Sequence, residues 1–543
     1  MQATSDARLL RRFAAPVIFV LATCASADRP RAQGIQGEGP LGNDAFLPVS
    51  ASAAKDLAAG DEAFSKKGGE VAAIRAAAFE AWLRALSVAE NGDCASRSDR
   101  ATESIDSAVR RRVRAAGDEA TSAWRSRFDA VAASALGAAG SDATALERVA
   151  RGFPLTRAAA RAELALADLA HESGETLVAA TWLDRARADG DPKDTELGAA
   201  IARRAAASAS PASTDLEPSW RHASHLTLES QIVLEGSATG RTGIAPGIAL
   251  LPGGRVCVQC AENVHFVAPD GRVRSVDLGE MTRAHGWTWL PPFVDRGERW
   301  PLLPATDGAS DGRIVVVAGR AAATRGNALL AIDASQARSE PALAWGYSDA
   351  GFLGEDGNTL KNEELIGPGL WEFEPGPLVV GGTVLVQAHQ WTSEGGEPAS
   401  VDERAVRAWC LALDLESGRP RWKRLLAVGA SGKGRLQGAR GFAHPAQPLA
   451  LLGGQALVGT GIGVGARVDL CDGRVVAAWK FRRAPEGSGR WSLGPPLVGT
   501  GITWAPPDSD RMYFLRRDVG GIDGVPGPLG VREIGDDVAP IAA

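Results

Sequence analysis

Two periodicities divide the chain. From about Ala51 to Ser210 apolar side chains recur at helical spacing in an alanine-rich background; beyond Ser219 apolar and polar positions follow a period of two. The first stretch predicts paired helices. Thr156 supplies a capping hydroxyl for a helix running to about Glu172, Ser173-Gly174 makes the turn, and Leu177, Ala180, Trp182, Leu183 and Ala186 give the return helix its apolar stripe. Ser208 to Pro218 has the Ser/Pro-rich composition of a linker.

The second stretch repeats one unit five times, two apolar runs joined by a tight turn that contains glycine. The turns lie at Gly253-Gly254, Asp311-Gly312, Gly381-Gly382, Gly453-Gly454 and Gly499-Thr500-Gly501. Glycine reaches the positive φ of a tight hairpin turn without strain, so each unit predicts a β-hairpin. Repeated β units at roughly 50–70-residue spacing predict a propeller or a β-solenoid. After the third hairpin, Trp409 to Asp414 reads as another strand, Asp414 to Gly418 as a turn, and the residues leading to Trp422 as a fourth strand. That completes a four-stranded blade.

The run Ala412-x-Asp414-x2-Ser417-Gly418-x3-Trp422 resembles the tryptophan-docking repeat of β-propellers of the quinoprotein-like (pyrroloquinoline-quinone-repeat) group. The outer-membrane assembly factor B lipoprotein family belongs to that group. Asp333 leading to Trp345, and Asp469 leading through Gly473 to Trp479, match the repeat more loosely; Phe266 to Val276 carries no Trp, and none follows Met512 to Leu515. In such a unit the Asp accepts backbone N–H bonds in the turn and the Trp ring wedges between neighbouring blades. The resemblance thus gives Asp333, Trp345, Asp414, Gly418, Trp422, Asp469 and Trp479 structural blade-docking roles. Ala78-x3-Trp82-x2-Ala85 and Ala179-x3-Leu183-x2-Ala186 resemble the second helix of a tetratricopeptide repeat. The expected fold class is α + β multidomain, an N-terminal α-helical repeat or bundle followed by a β-propeller of four-stranded antiparallel blades.

The N-terminus adds a compartment. Arg8, Arg11 and Arg12 precede the apolar run Phe13 to Ala22, and Ala25-Ser26-Ala27 follows, the pattern of a bacterial export signal. Leu21-Ala22-Thr23-Cys24 resembles a lipobox, which makes Cys24 a candidate lipid anchor, and no segment approaches the roughly 20 apolar residues of a membrane span. The expected organisation is a signal peptide at 1–27, a spacer at 28–50, helices at 51–210, a linker at 211–218, a propeller at 219–520 and a tail or closing strand at 521–543. The mature protein is expected in the periplasm or at the outer membrane.

Composition narrows the function. With 59 Lys and Arg against 65 Asp and Glu, the net charge of -6 argues against a nucleic-acid partner. The cysteines left after export are odd in number and scattered, which suits buried thiols better than a disulfide framework. Cys257-x2-Cys260-x4-His265 and His222-x2-His225 both lack a second ligand pair, so no metal site is expected. Gly429 to Gly434 lacks the first Gly and the final Ser/Thr of a phosphate loop, because Ala427 and Gly434 stand there. A quinoprotein dehydrogenase would carry pyrroloquinoline quinone with Ca²⁺ and an adjacent Cys-Cys pair, and no two cysteines are adjacent. The expectation is therefore a non-catalytic envelope scaffold without cofactor, binding protein or peptide partners. A periplasmic quinone-dependent oxidoreductase, or a degenerate relative of one, and a carbohydrate-binding propeller are the alternatives. Candidate partner-binding residues are the long-loop aromatics Trp287, Trp289, Trp371, His389 and Trp391, which would otherwise cover blade edges.

Overall fold

The computed structural model describes residue 45, residues 47–208 with gaps at 67, 69, 91–92 and 99–100, and the strands with their shorter connections between 247 and 533. Trp220, Trp287, Trp289 and the export and lipobox segments lie outside the described residues.

Helices α1 (Ala51–Ser65) and α2 (Val71–Val88) pack as a hairpin. Gly60 makes their close crossing feasible, because a Cβ there would run into the Trp82 ring. After them the chain forms a β-hairpin, β1 (Cys94–Ser98) and β2 (Ala101–Ser104), inside the stretch read as wholly helical. Helices α3 (Ile105–Ala115), α4 (Asp118–Ala139), α5 (Ala143–Gly152), α6 (Arg157–Glu172), α7 (Thr176–Asp189) and α8 (Thr195–Ser208) follow. The expected helical pair is α6 and α7: the Thr156 hydroxyl accepts the Ala159 N–H at 3.1 Å, and Gly174 turns the chain at φ 78°. Ala179, Trp182, Leu183 and Ala186 are buried on α7.

Among the described residues, five antiparallel sheets succeed one another along the chain. Sheet I is β3 (Gly247–Leu251), β4 (Arg255–Cys260), β5 (Asn263–Val267) and β6 (Val273–Asp277), after which comes the short helix α9 (Leu278–Arg283). Sheet II runs β7 (Arg313–Ala318), β8 (Ala328–Asp333), β9 (Ala342–Ser348), β10 (Gly351–Leu353) and β11 (Thr359–Leu360). Sheet III contains β12 (Leu370–Phe373), β13 (Leu378–Val380), β14 (Thr383–Ser393), β15 (Arg404–Asp414) and β16 (Pro420–Gly429), with β12 and β13 both pairing along the long β14. Sheet IV is β17 (Gln447–Leu452), β18 (Gln455–Gly459), β19 (Val464–Asp469) and β20 (Val475–Lys480), and sheet V is β21 (Leu497–Val498), β22 (Gly501–Trp504), β23 (Arg511–Arg516) and β24 (Pro528–Glu533).

Hairpins form at four of the five glycine turns; the N-terminal side of the turn at Asp311-Gly312 lies outside the described residues. Only sheets I and V keep the expected four strands. Sheet II gains β10 and β11 beyond its β9 edge, sheet III gains β12, and sheet IV is extended by the β1–β2 hairpin, whose Ala101 and Thr102 pair with Trp479 and Ala478 of β20. Apolar cores join sheets I and II, II and III, III and IV, and IV and V. No core between sheets I and V, and so no closed ring, is found among the described residues. The protein is a mixed fold of helices and serial antiparallel sheets.

Candidate functional site

The docking of sheet II on III and of sheet III on IV follows one rule. Trp345, on β9 of sheet II, is fully buried, and its indole Nε1 donates to the Leu415 carbonyl at 2.8 Å. Its ring covers Gly418, where φ is 71° and a Cβ would come within 2.5 Å of the indole. One sheet further on, Trp422 of β16 donates to the Leu470 carbonyl at 3.3 Å and lies over Gly473. Each acceptor is the residue after the turn Asp, Asp414 or Asp469, and each glycine lies four residues beyond that Asp. The turn itself is built as the composition predicts: Asp414 accepts from the Ser417 N–H at 2.8 Å, and Asp469 from the Cys471 N–H at 2.9 Å.

Sheet I docks by the same rule with another side chain. Arg274, which pairs with Phe266 as Trp345 pairs with Ala331, donates to the Ala334 carbonyl at 3.1 Å, and Arg255 donates to it at 2.9 Å. Ala334 follows Asp333 in the chain. A guanidinium thus replaces the indole on the same acceptor position, a substitution invisible to a search for tryptophan. Trp479 departs from the rule. It pairs with Gly465 rather than two residues nearer the turn, is only half-buried, and meets Trp504 of sheet V edge-on at 5.6 Å between ring centres.

A second site joins the helices to sheets III and IV. Helix α7 lies over two of the glycine turns: Glu175 packs on Gly381 and Gly382, and Thr181 sits so close to Gly454 that any Cβ there would overlap it. Arg185, 2% exposed, reaches from α7 to both carboxylates of the β19–β20 turn, with Asp469 at 2.8 Å and Asp472 at 3.1 Å. Its guanidinium also stacks over the Trp182 ring at 4.5 Å. Arg474 pairs with Asp106 of α3, which pairs in turn with Arg110 at 2.6 Å, and Arg110 binds Asp189 of α7 at 2.6 Å. Burial alone would push the Asp106 and Asp472 carboxyls up, but the surrounding guanidiniums hold both well below the usual range. Above these pairs, α5, α6, α7 and the sheet III–IV turns line a cleft of about 290 Å³, with Glu147, Trp182, Arg421 and Trp422 on its walls.

Of the candidate partner-binding residues, Trp371 and His389 are not surface groups. Trp371 is a strand residue of β12, buried, donating to the Gly367 carbonyl at 2.9 Å and packed against Trp409. His389, on β14, is 2% exposed: Nδ1 lies 2.8 Å from Glu374 Oε1, and Nε2 lies 2.8 Å from the Thr460 carbonyl oxygen in sheet IV. Both rings are buried within the sheet array, packed where strands β12 and β14 meet their neighbours. Trp391 occupies a β14 register position opposite Leu370 and Val406.

His389 has a testable consequence. Burial alone would lower its imidazolium, but the facing Glu374, with Glu372 and the Thr460 carbonyl, raises it to about 9. A raised histidine contributes stability that is complete below its unfolded value near 6.5 and is lost as pH rises towards 9. Urea denaturation at pH 6 and pH 9.5 is expected to show a stability loss in the native protein that is smaller by roughly 2–4 kcal/mol in His389→Gln.

Among the described residues Cys94, Cys257, Cys410 and Cys471 form no disulfide, and burial pushes the Cys94, Cys257 and Cys410 thiols up to about 12. Cys257 is cross-strand to Phe266, while His265 lies opposite Val258 and so on the other face of sheet I. Among the described residues no group of three His, Cys, Asp or Glu is placed to hold a metal ion, and no helix is long and apolar enough to cross a membrane.

No family pattern and no curated protein matches the chain. Solved structures give distant likenesses. BamB from Moraxella catarrhalis is 14% identical with a TM-score of 0.21, over 50% of this chain and 69% of that one. Sqt1 from Saccharomyces cerevisiae is 10% identical with a TM-score of 0.24, over 51% and 74%. A chain of the mitotic checkpoint complex is 12% identical with a TM-score of 0.22, over 56% and 89%.

Proposed function

We propose that the protein is a non-catalytic scaffold of the cell envelope, in which propeller-type blades and a helical layer form one rigid body that binds protein or peptide partners. The observation that carries this reading is the use of the buried ionisable groups. Arg110, Arg185, Arg474, Asp106, Asp189, Asp469 and Asp472 pair with one another across the junction and fix helices to sheets. Groups of this kind form the reactive centre of an enzyme when they converge on an open pocket; of those named, Asp472 lines the cleft, with its carboxylate bound by Arg185, while the others pair away from the cleft lining. A frame locked in this way presents loops in fixed relative positions, which lowers the ordering cost of binding a partner.

Export and a lipid anchor at Cys24 belong to the same proposal, on the pattern of Arg8 to Ala27. The test is capture of partners by the full chain from a bacterial envelope extract, followed by titration calorimetry with each purified candidate. A stoichiometric protein complex is expected, with no spectral change when pyrroloquinoline quinone and Ca²⁺ are added. Stoichiometric quinone absorbance with dehydrogenase turnover would contradict the scaffold reading.

A further inference from the structure

The inner end of the charged junction gathers three carboxyls around one guanidinium, and they are served unequally. Arg110 directs Nε and Nη2 to the two oxygens of Asp189, at 2.9 and 2.6 Å, and Nη1 to Asp106 at 2.6 Å. Glu163 of α6 receives only the remaining reach of Nη2, at 3.4 Å to Oε1. Its Oε2 is buried and has no hydrogen-bond partner among the described residues, and the whole side chain is 0% exposed. An ionised carboxylate left half-bonded in such a place is strongly disfavoured, whereas a neutral carboxyl there leaves only one weakly served group.

We propose that Glu163 holds a proton in the folded protein and acts as a pH-sensitive latch, its ionisation weakening the attachment of the helices to sheet IV. The connection is short. Glu163 and Asp189 share Arg110, Arg110 holds Asp106, and Asp106 holds Arg474 at the β19–β20 turn. Arg110 and Asp106 both belong to α3, so an ionised Glu163 acts by adding a further buried negative charge beside Asp189 and drawing on Arg110, which destabilises the cluster that packs α3, α6 and α7 on the β19–β20 turn. The charged groups acting on Glu163 are Asp189, which raises its proton affinity together with burial, and Arg110, Arg185 and Arg474, which oppose that rise without overcoming it.

The direction of the pH effect follows. The unfolded chain loses the Glu163 proton near the ordinary carboxyl value, and the folded chain holds it to higher pH. Folding stability therefore falls as pH rises from the unfolded value towards the folded one. Glu163→Gln copies the neutral carboxyl and removes the titration.

Hydrogen exchange of the full-length protein across pH 5 to 9, expressed as protection factors, reads the latch directly at the β2 and β20 amides. As pH rises, the native protein is expected to lose at least tenfold more protection there than Glu163→Gln, which retains only the loss that His389 contributes. Glu163→Leu, apolar and close in volume, provides a second neutral form that is expected to behave as the Gln variant does. If native and Gln proteins show the same pH dependence at β2 and β20, Glu163 is no latch. If both neutral variants lose protection at every pH, Glu163 is ionised and paired, and the proposal is overturned.

Discussion

Arg185→Ala is expected to lower the unfolding free energy by about 3–5 kcal/mol, the usual cost of breaking a buried ion pair from one side. The guanidinium is 2% exposed and serves two carboxylates, Asp469 and Asp472, that are themselves almost fully buried. Removing it leaves two negative charges in a poorly hydrated space, with Arg474 and Arg151 too distant, at 3.6 Å each, to replace its bonds. The lost stacking on Trp182 adds to the effect. Arg187 on the same helix provides the control. Its pair with Asp184 is exposed, at 58% and 64%, so Arg187→Ala is expected to cost less than about 1 kcal/mol. Urea denaturation followed by circular dichroism measures both; equal costs for the two variants would show that the junction bears no load.

Trp345→Ala carries the second large effect, about 3–5 kcal/mol for an indole removed from a closed core. The ring is fully buried between sheets II and III, meets Tyr347 edge-on at 6.2 Å between ring centres, and donates to Leu415. Gly418→Ala attacks the same contact from the other side. The new Cβ would strike the indole, and alanine disfavours a φ of 71°. Trp479→Ala is expected to cost distinctly less, since that ring is half-buried and does not rest on a docking turn. Thermal unfolding of the three variants ranks them; a Trp479 variant as damaged as the Trp345 variant would contradict the docking rule.

The docking rule was legible in the sequence where its chemistry is local. Asp414, Gly418 and Trp422 lie within one strand-turn-strand unit, so turn chemistry and spacing expose them together, and the capped helix after Thr156 is legible for the same reason. Reading the ring that each Trp enters requires the neighbouring sheet, which is why the offset of Trp479 and the Arg274 replacement stayed hidden. The β1–β2 hairpin was hidden for a further reason. Cys94 to Ser104 is mostly polar and has no alternation of its own, and its strand pairing comes from Trp479 and Ala478, far along the chain.

The junction shows the same limit. Arg185 on α7 looks like one more charge on an alanine-rich helix, and Asp469 looks like a turn residue whose capacity is spent on the backbone. Only the packing of α7 over the glycine turns brings them to 2.8 Å. The sequence suggests loops at Trp371 and His389 because the segments holding them exceed ordinary hairpin lengths. The extra length is instead spent on β12 and on the long β14, which carry both side chains into the interior.

Native-state hydrogen exchange of the full chain under increasing urea tests most directly whether helices and sheets are one body. The account predicts that amides of α3 and α7, of the β2–β20 pairing and of β19 open together, with one free energy and one urea dependence. Helices that open at low urea while β19 and β20 stay protected would contradict it.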